Sequence, residues 1–204
     1  FDMFDPSQHE KIKEDPKEYR NRLKSVIYGL LYGRQAPAIA EDLKISTGDA
    51  QEMMDTFLHN AHSLADWRDE IKDALTNPNK VIETPLGRRF QQEVITEFTK
   101  ASLERSALSM IPQATASDMC IMAAQRLAPV IRDKYDGQLK LTVHDSIGSS
   151  VPKQAAKEVA TLKIKTMREV GRELFGDYVF FDADAEWGPA WGKPIKTLKL
   201  PREI

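Results

Sequence analysis

EYRNRLKSVIYGLLYGRQ, residues 18–35, has the pattern of a helix with two dissimilar faces. On a wheel of about 100° per residue with Arg20 at zero, Lys24, Tyr28 and Tyr32 fall at about 40°, 80° and 120°. They form one continuous stripe. Leu23, Val26, Ile27 and Leu30 fall between about 240° and 340° and make the side that packs inward. Two cations and two tyrosines on one exposed face suit an anionic ligand with a flat part, such as a nucleoside triphosphate. Arg and Lys hold phosphate oxygens there, and the rings pack against sugar or base. The plain alternative is an amphipathic surface helix. Gly29 and Gly33 each cost a helix about 1 kcal/mol relative to Ala, so a close approach to the backbone or a pivot is expected there.

Working outward, residues 1–18 are polar, acidic and broken by Pro6 and Pro16, which reads as a loop. The helix runs from about Tyr19 to Tyr32, and a second is expected near 36–44. A third is expected over 48–76, where Met53, Phe57, Ala61, Leu64, Ile71 and Leu75 recur at helical spacing. Ser46 and Thr47 are its N-cap candidates and Asn77-Pro78 its stop. VIETPLGRRF then reads as a short strand running into a Pro-Leu-Gly turn. Helices resume over about 92–110 and 113–134, with Pro129 kinking or ending the last. LKLTV alternates, with Leu139, Leu141 and Val143 on one face, and leads through His144-Asp145-Ser146 into IGSSV, the pattern of a hairpin. Residues 152–175 form an amphipathic helix and DYVFFDADAEW a closing strand. The fold class is α+β and mainly helical. Two lobes are expected, residues 1–82 and 83–204.

The chain has 204 residues, with 29 Lys and Arg against 31 Asp and Glu and a net charge of −2. This excludes a uniformly basic nucleic-acid coat protein, while local basic stripes remain open. With 41% hydrophobic and 29% charged residues, a packed core is expected rather than disorder. No apolar run approaches the roughly 20 residues of a membrane span, and no secretion signal stands at the start. The single Cys120 excludes an intrachain disulfide and fits an intracellular setting. The chain begins with Phe1 rather than Met, so it is expected to be a piece of something longer.

R-x3-K-x3-Y-G-x2-Y-G resembles motif B of family A DNA polymerases, the bacterial DNA polymerase I type. ETPLGRRF is similar to that family's T-x-x-G-R-R segment, and RSALSMIPQATASD to its R-x3-N-x-P-x-Q-G-T-A-A-D stretch. LTVHDSI resembles motif C, V-H-D-E, and AEWG the tryptophan-containing C-terminal segment. All occur in family order. The resemblance implies that Arg20 and Lys24 bind the incoming triphosphate, Lys24 also protonating the leaving pyrophosphate. It puts Tyr28 beside the nucleotide sugar, and Tyr32 with Gly33 at the templating base. Arg105 and Gln113 match primer–template contacts, His144 the residue near the primer terminus, and Asp145 a catalytic aspartate that binds metal. Arg88 and Arg89 match paired arginines that serve either salt bridging or DNA contact. The implied cofactor is Mg²⁺, two ions. The implied partners are primer-template DNA, dNTP and an upstream segment or chain carrying motif A and the thumb, with no membrane. The implied setting is the cytoplasm of a bacterial or phage-infected cell.

Several positions depart from the family. Motif A, D-Y-S-x2-E-x-R, has no match, so the second metal-binding aspartate is expected outside this chain. An exposed carboxylate at a turn can ligate Mg²⁺, but one Asp cannot bridge two ions. Ser146 stands where the family has Glu, Ser109 where it has Asn and Ala114 where it has Gly. Ser146 also resembles single-subunit RNA polymerases, but Tyr28-Gly29 favours the DNA enzymes. A non-catalytic DNA-binding or assembly module is the reading from another class. Bland readings suffice elsewhere. His59-x-x-His62 lacks a third ligand nearby and reads as a solvated or core-edge pair. Cys120, Met119 and Met122 read as core, Trp67, Trp187 and Trp191 as packing, and the charged run at 157–173 as a solvated helix face.

Overall fold

The computed structural model describes residues 24, 26–91 and 94–202. The expected N-terminal loop, the helix start near Tyr19, and Arg20 lie outside the described residues. Lys24 and residues 26–31 are helical (α1). The other helices are α2 (Ala36–Leu43), α3 (Thr47–Asn60), α4 (His62–Thr76), α5 (Glu97–Tyr135) and α6 (Ala156–Phe175). Strands β1 (Gln138–Val143) and β2 (Ser146–Ser150) pair antiparallel, as do β3 (Asp184–Trp187) and β4 (Lys196–Lys199). The architecture is mainly helical α+β with small hairpins.

Two compact units divide the chain, Phe1–Gln113 and Ala114–Ile204. In the first unit one apolar cluster joins Ile71, Leu75 and Ile82 to Ala107 and Leu108 of α5. In the first unit a separate cluster packs Val26 and Leu30 of α1 on Ile39, Leu43, Ala50 and Met54. In the second, Leu127, Ile131 and Val159 are buried, with Leu139 and Ile147 of the β1–β2 hairpin packed on them.

Side-chain caps start two of the helices. Ser46 Oγ accepts the Asp49 amide at 3.0 Å, which starts α3 as expected. Thr96 and Thr99 satisfy each other's amides reciprocally at the start of α5. The helix expected over 48–76 is two helices. Ala61, at φ −112° and ψ 52°, closes α3 by donating to Phe57 O and opens α4. The poor helix formers His59, Asn60, His62 and Ser63 surround the break. Conversely, the two helices expected over 92–134 are one. Pro112 and Pro129 both sit inside the 39-residue α5. Each removes a ladder hydrogen bond, a loss of about 3 kcal/mol or more in a helix interior. Both prolines are exposed, and buried residues on either side (Leu108, Leu127 and Ile131) hold the helix to its clusters.

VIETPLGRRF forms the expected turn, with Thr84 N donating to Arg88 O at 2.9 Å, Arg88 N donating to Thr84 Oγ1 at 3.1 Å and Gly87 at φ +80°. The expected one-faced alternation of Leu139, Leu141 and Val143 does not hold. The register shifts between Leu139 and Leu141, so Lys140 is bulged. The extra residue turns Leu141 and Val143 onto the face opposite Leu139, where they are 40% and 41% exposed. The closing strand is also shorter than expected. Residues 176–178 are a 3-10 turn and only Asp184–Trp187 pairs, with a β4 that the sequence pattern did not reveal.

Candidate functional site

In the first unit the helical stripe has the two faces the wheel requires. Val26 and Leu30 are 3% and 0% exposed, while Lys24 is exposed and Tyr28 is 47% exposed. The rings of Tyr28 and Tyr32 lie parallel, 8° apart in plane with centroids at 6.0 Å. A one-turn offset on one helix face produces this stacking. Arg20, the first member of the stripe, lies outside the described residues.

The two glycines have different reasons. Gly33 adopts φ +74°, and a Cβ there would fall 3.2 Å from Arg105 Cγ and 3.6 Å from Leu108 Cδ1. It ends α1 in a left-handed turn and brings Arg105 of α5 against that turn. Gly29 makes room for Arg34, since a Cβ would lie 3.0 Å from Arg34 Cδ. Arg34 then pairs with Asp42 at 2.6 Å and donates to Ala38 O at 3.2 Å. Gly29 therefore has a reason within the fold itself. Gln113, two turns beyond Arg105 on α5, is exposed.

In the second unit the β1–β2 hairpin presents His144 and Asp145 in a two-residue turn between the paired Val143 and Ser146. His144 carries φ +53°, a left-handed conformation that costs a non-glycine residue about 1–2 kcal/mol. Both turn side chains are exposed. Ser146 Oγ donates back to Val143 O at 2.9 Å, so the hydroxyl closes the turn. Asp145 lies close enough to α5 that its charge, after burial, helps push the Cys120 thiol above its ordinary range.

Sequence reasoning missed Lys163. From α6 its Nζ donates to Ile147 O at 2.8 Å, and burial pushes its pKa down to about 8. Ile147 pairs with Thr142 one step from the Val143–Ser146 pair, so its carbonyl points away from β1 and Lys163 supplies the partner. In sequence it is one lysine in a charged run, with no signal of its own. A folded-state pKa depressed from 10.5 to about 8 means the unfolded chain binds more protons between those values. Stability from this group therefore falls as pH drops through that window. We expect Lys163→Met to remove this slope. The wild-type denaturant midpoint should rise relative to the variant between pH 8 and 10.5, and parallel curves would contradict it.

Arg89 pairs with Glu83 across the small turn at 3.3 Å, the salt-bridging reading of that arginine. His59 and His62 lie on different helices, α3 and α4, and both are exposed. Among the described residues no group of three His, Cys, Asp or Glu gathers to hold a metal. The hard oxygens of exposed Asp145 suit Mg²⁺ as one ligand. The described residues do not by themselves make a two-ion site, and no step below runs through one. No described helix is long and apolar enough to cross a membrane.

The fold is that of a polymerase domain. It superposes on the POL domain of Pol1 from M. smegmatis, solved in complex with DNA primer-template and dNTP, at a TM-score of 0.68 and 27% identity. That match covers 76% of this chain and 28% of the other. The DNA polymerase I of Aquifex aeolicus is 29% identical over 170 residues, 79% of this chain and 28% of that protein. The thermostable DNA polymerase I of Thermus aquaticus is 28% identical over 156 residues, 74% of this chain and 18% of that protein. A sequence model of DNA polymerase family A matches residues 5–193. The chain belongs to DNA polymerase family A. It spans less than a third of the length of these relatives.

Proposed function

We propose that the chain is part of a DNA-dependent DNA polymerase, residues 1–82 serving as fingers and 83–204 as the C-terminal part of the palm. It extends a primer 3′-OH with dNTPs, inside a bacterial or phage-infected cell. The observation that carries this reading is the Lys24–Tyr28–Tyr32 stripe, with Lys24 and Tyr28 exposed and Tyr32 half-buried, over a buried Val26–Leu30 side in a chain of this family.

Lys24 and Arg20 hold the triphosphate, and Lys24 gives a proton to the departing pyrophosphate. Tyr28 packs on the sugar, while Tyr32 and Gly33 meet the templating base. Arg105, set against Gly33, and Gln113 hold the primer–template, with His144 at the primer end. Closing of α1 over a correct base pair then seats the nucleotide, an induced-fit check. The Mg²⁺ of this family would activate the 3′-OH and stabilise the leaving group, held by Asp145 and an aspartate from a segment carrying motif A.

The test is primer extension by this chain alone and mixed with a polypeptide supplying motif A and the thumb. Activity confined to the mixture supports the proposal. Activity of the chain alone would overturn the assignment of the second metal ligand. DNA binding without extension in either would favour the non-catalytic module. A further expectation concerns Tyr28, whose hydroxyl can replace the hydrogen bond lost when a nucleotide lacks its 3′-OH. The active mixture should accept dideoxynucleotides readily, and Tyr28→Phe should reject them about 10-fold or more. Equal chain termination by the two would sink this role.

A further inference from the structure

The turn that carries Asp145 rests on very little chain, a bulged hairpin with strands of six and five residues whose inner face packs on α5 and α6 through Leu139 and Ile147. Its outer face holds Leu141, Gly148 and Val143. Gly148 is buried there although it has no side chain. A Cβ at Gly148 would fall 2.9 Å from Leu141 Cδ1 and 3.1 Å from Trp191 Cζ3. The indole of Trp191 thus lies across the glycine and beside the leucine paired with it. An aromatic ring laid over a strand glycine supplies the packing that the glycine lacks.

The segment that delivers Trp191 is itself built for close approach. It links β3 to β4, with Ala190 and Lys193 bridged and Ile195 donating to Trp187 O at 2.9 Å. Gly192 turns at φ +74°, and a Cβ on Gly188 would lie 2.0 Å from Lys193 O, so no other residue fits. The ring remains 67% exposed, because it covers two residues of a surface hairpin rather than filling a core.

We propose that Trp191 is a positioning residue for Asp145. By clamping Gly148 and Leu141 from the outer face, it fixes the hairpin while Lys163 fixes Ile147 from α6. This inference rests on the polymerase reading for its kinetic consequence but not for its structural one. A misplacement of the carboxylate by a fraction of an ångström to an ångström acts on the chemical step, and such shifts cost about 10-fold to 100-fold in rate.

Two readouts test it. In the whole 204-residue chain, amide hydrogen exchange over residues 141–148 should speed up about 10-fold or more in Trp191→Ala, while α6 is unchanged. Trp191→Phe should restore most of the protection. Gly148→Ala, which keeps the tryptophan but pushes it away, should reproduce the loss. In the mixture with the motif A polypeptide, Trp191→Ala should lower kcat about 10-fold with the KM for dNTP unchanged. Unaltered exchange in the hairpin would overturn the clamp. Faster exchange with unchanged kcat in an active mixture would overturn the positioning role. If no mixture is active, the polymerase reading fails, and the exchange experiment still decides whether Trp191 holds the hairpin.

Discussion

Asp145→Ala should abolish primer extension by the reconstituted mixture, a loss of at least about 10³-fold. The folded chain should survive the change. Asp145 is exposed at the hairpin turn, and among the described residues it takes part in no hydrogen bond or ion pair. Surface substitutions of this kind shift stability by about 0.5 kcal/mol or less. A large effect on rate with a small effect on stability would identify a group held for chemistry rather than for packing. Asp145→Asn keeps the shape and removes the charge, so it should be nearly as inactive. Single-turnover extension beside a thermal melt measures both quantities. Residual activity within about 10-fold of wild type in either variant would remove Asp145 from the catalytic site.

Ile131→Ala should be among the most damaging single changes in the second unit. Ile131 is 0% exposed and lies between Leu127 and Val159, and its carbonyl accepts the Gly137 amide that leads into β1. Removing a buried Ile side chain costs about 2–5 kcal/mol through lost burial and the cavity left behind. The cost reaches the turn as well, because Leu139 and Ile147 sit on the same cluster. Gly137 sits close by as well, since a Cβ there would meet Ile131 Cγ2 at 2.9 Å and Ser150 O at 2.9 Å. Urea unfolding should show a midpoint drop large enough to populate the unfolded state at moderate temperature. A loss below about 1 kcal/mol would mean the cavity collapses and the cluster is not the platform described.

Much of this was legible because the informative features are local. The α1 stripe follows from a period of 3.6, and the His144-Asp145 turn from an apolar run interrupted by polar turn residues. Ser46 and Asn77 mark the ends of their helices as capping chemistry requires. The misses share another origin. Pro129 reads as a breaker because the local cost is real, but tertiary clusters on both sides of it and of Pro112 outweigh that cost. The bulge at Lys140 leaves no trace in an alternating string, which puts Leu141 and Val143 on the face of Leu139 rather than opposite it. Residues 196–199, KTLK, look like a polar tail until β3 supplies the pairing partner. Of the candidate site, the residue roles rest on resemblance to the family and stand as proposals. What Gly33, Gly148 and Trp191 touch was not legible, since those contacts join residues far apart in sequence.

The hydrogen bond from Lys163 to Ile147 has a consequence for how copies of this chain coexist in solution. The outward carbonyl of a strand at a sheet margin is an open invitation to a strand from another molecule, and a short two-stranded hairpin is the kind of element that accepts one. Here a lysine occupies that acceptor and brings a long side chain to the margin where a neighbour would have to approach. The same contact that steadies the turn therefore also discourages intermolecular sheet growth. Such protection weakens wherever that lysine is replaced by a residue that cannot donate.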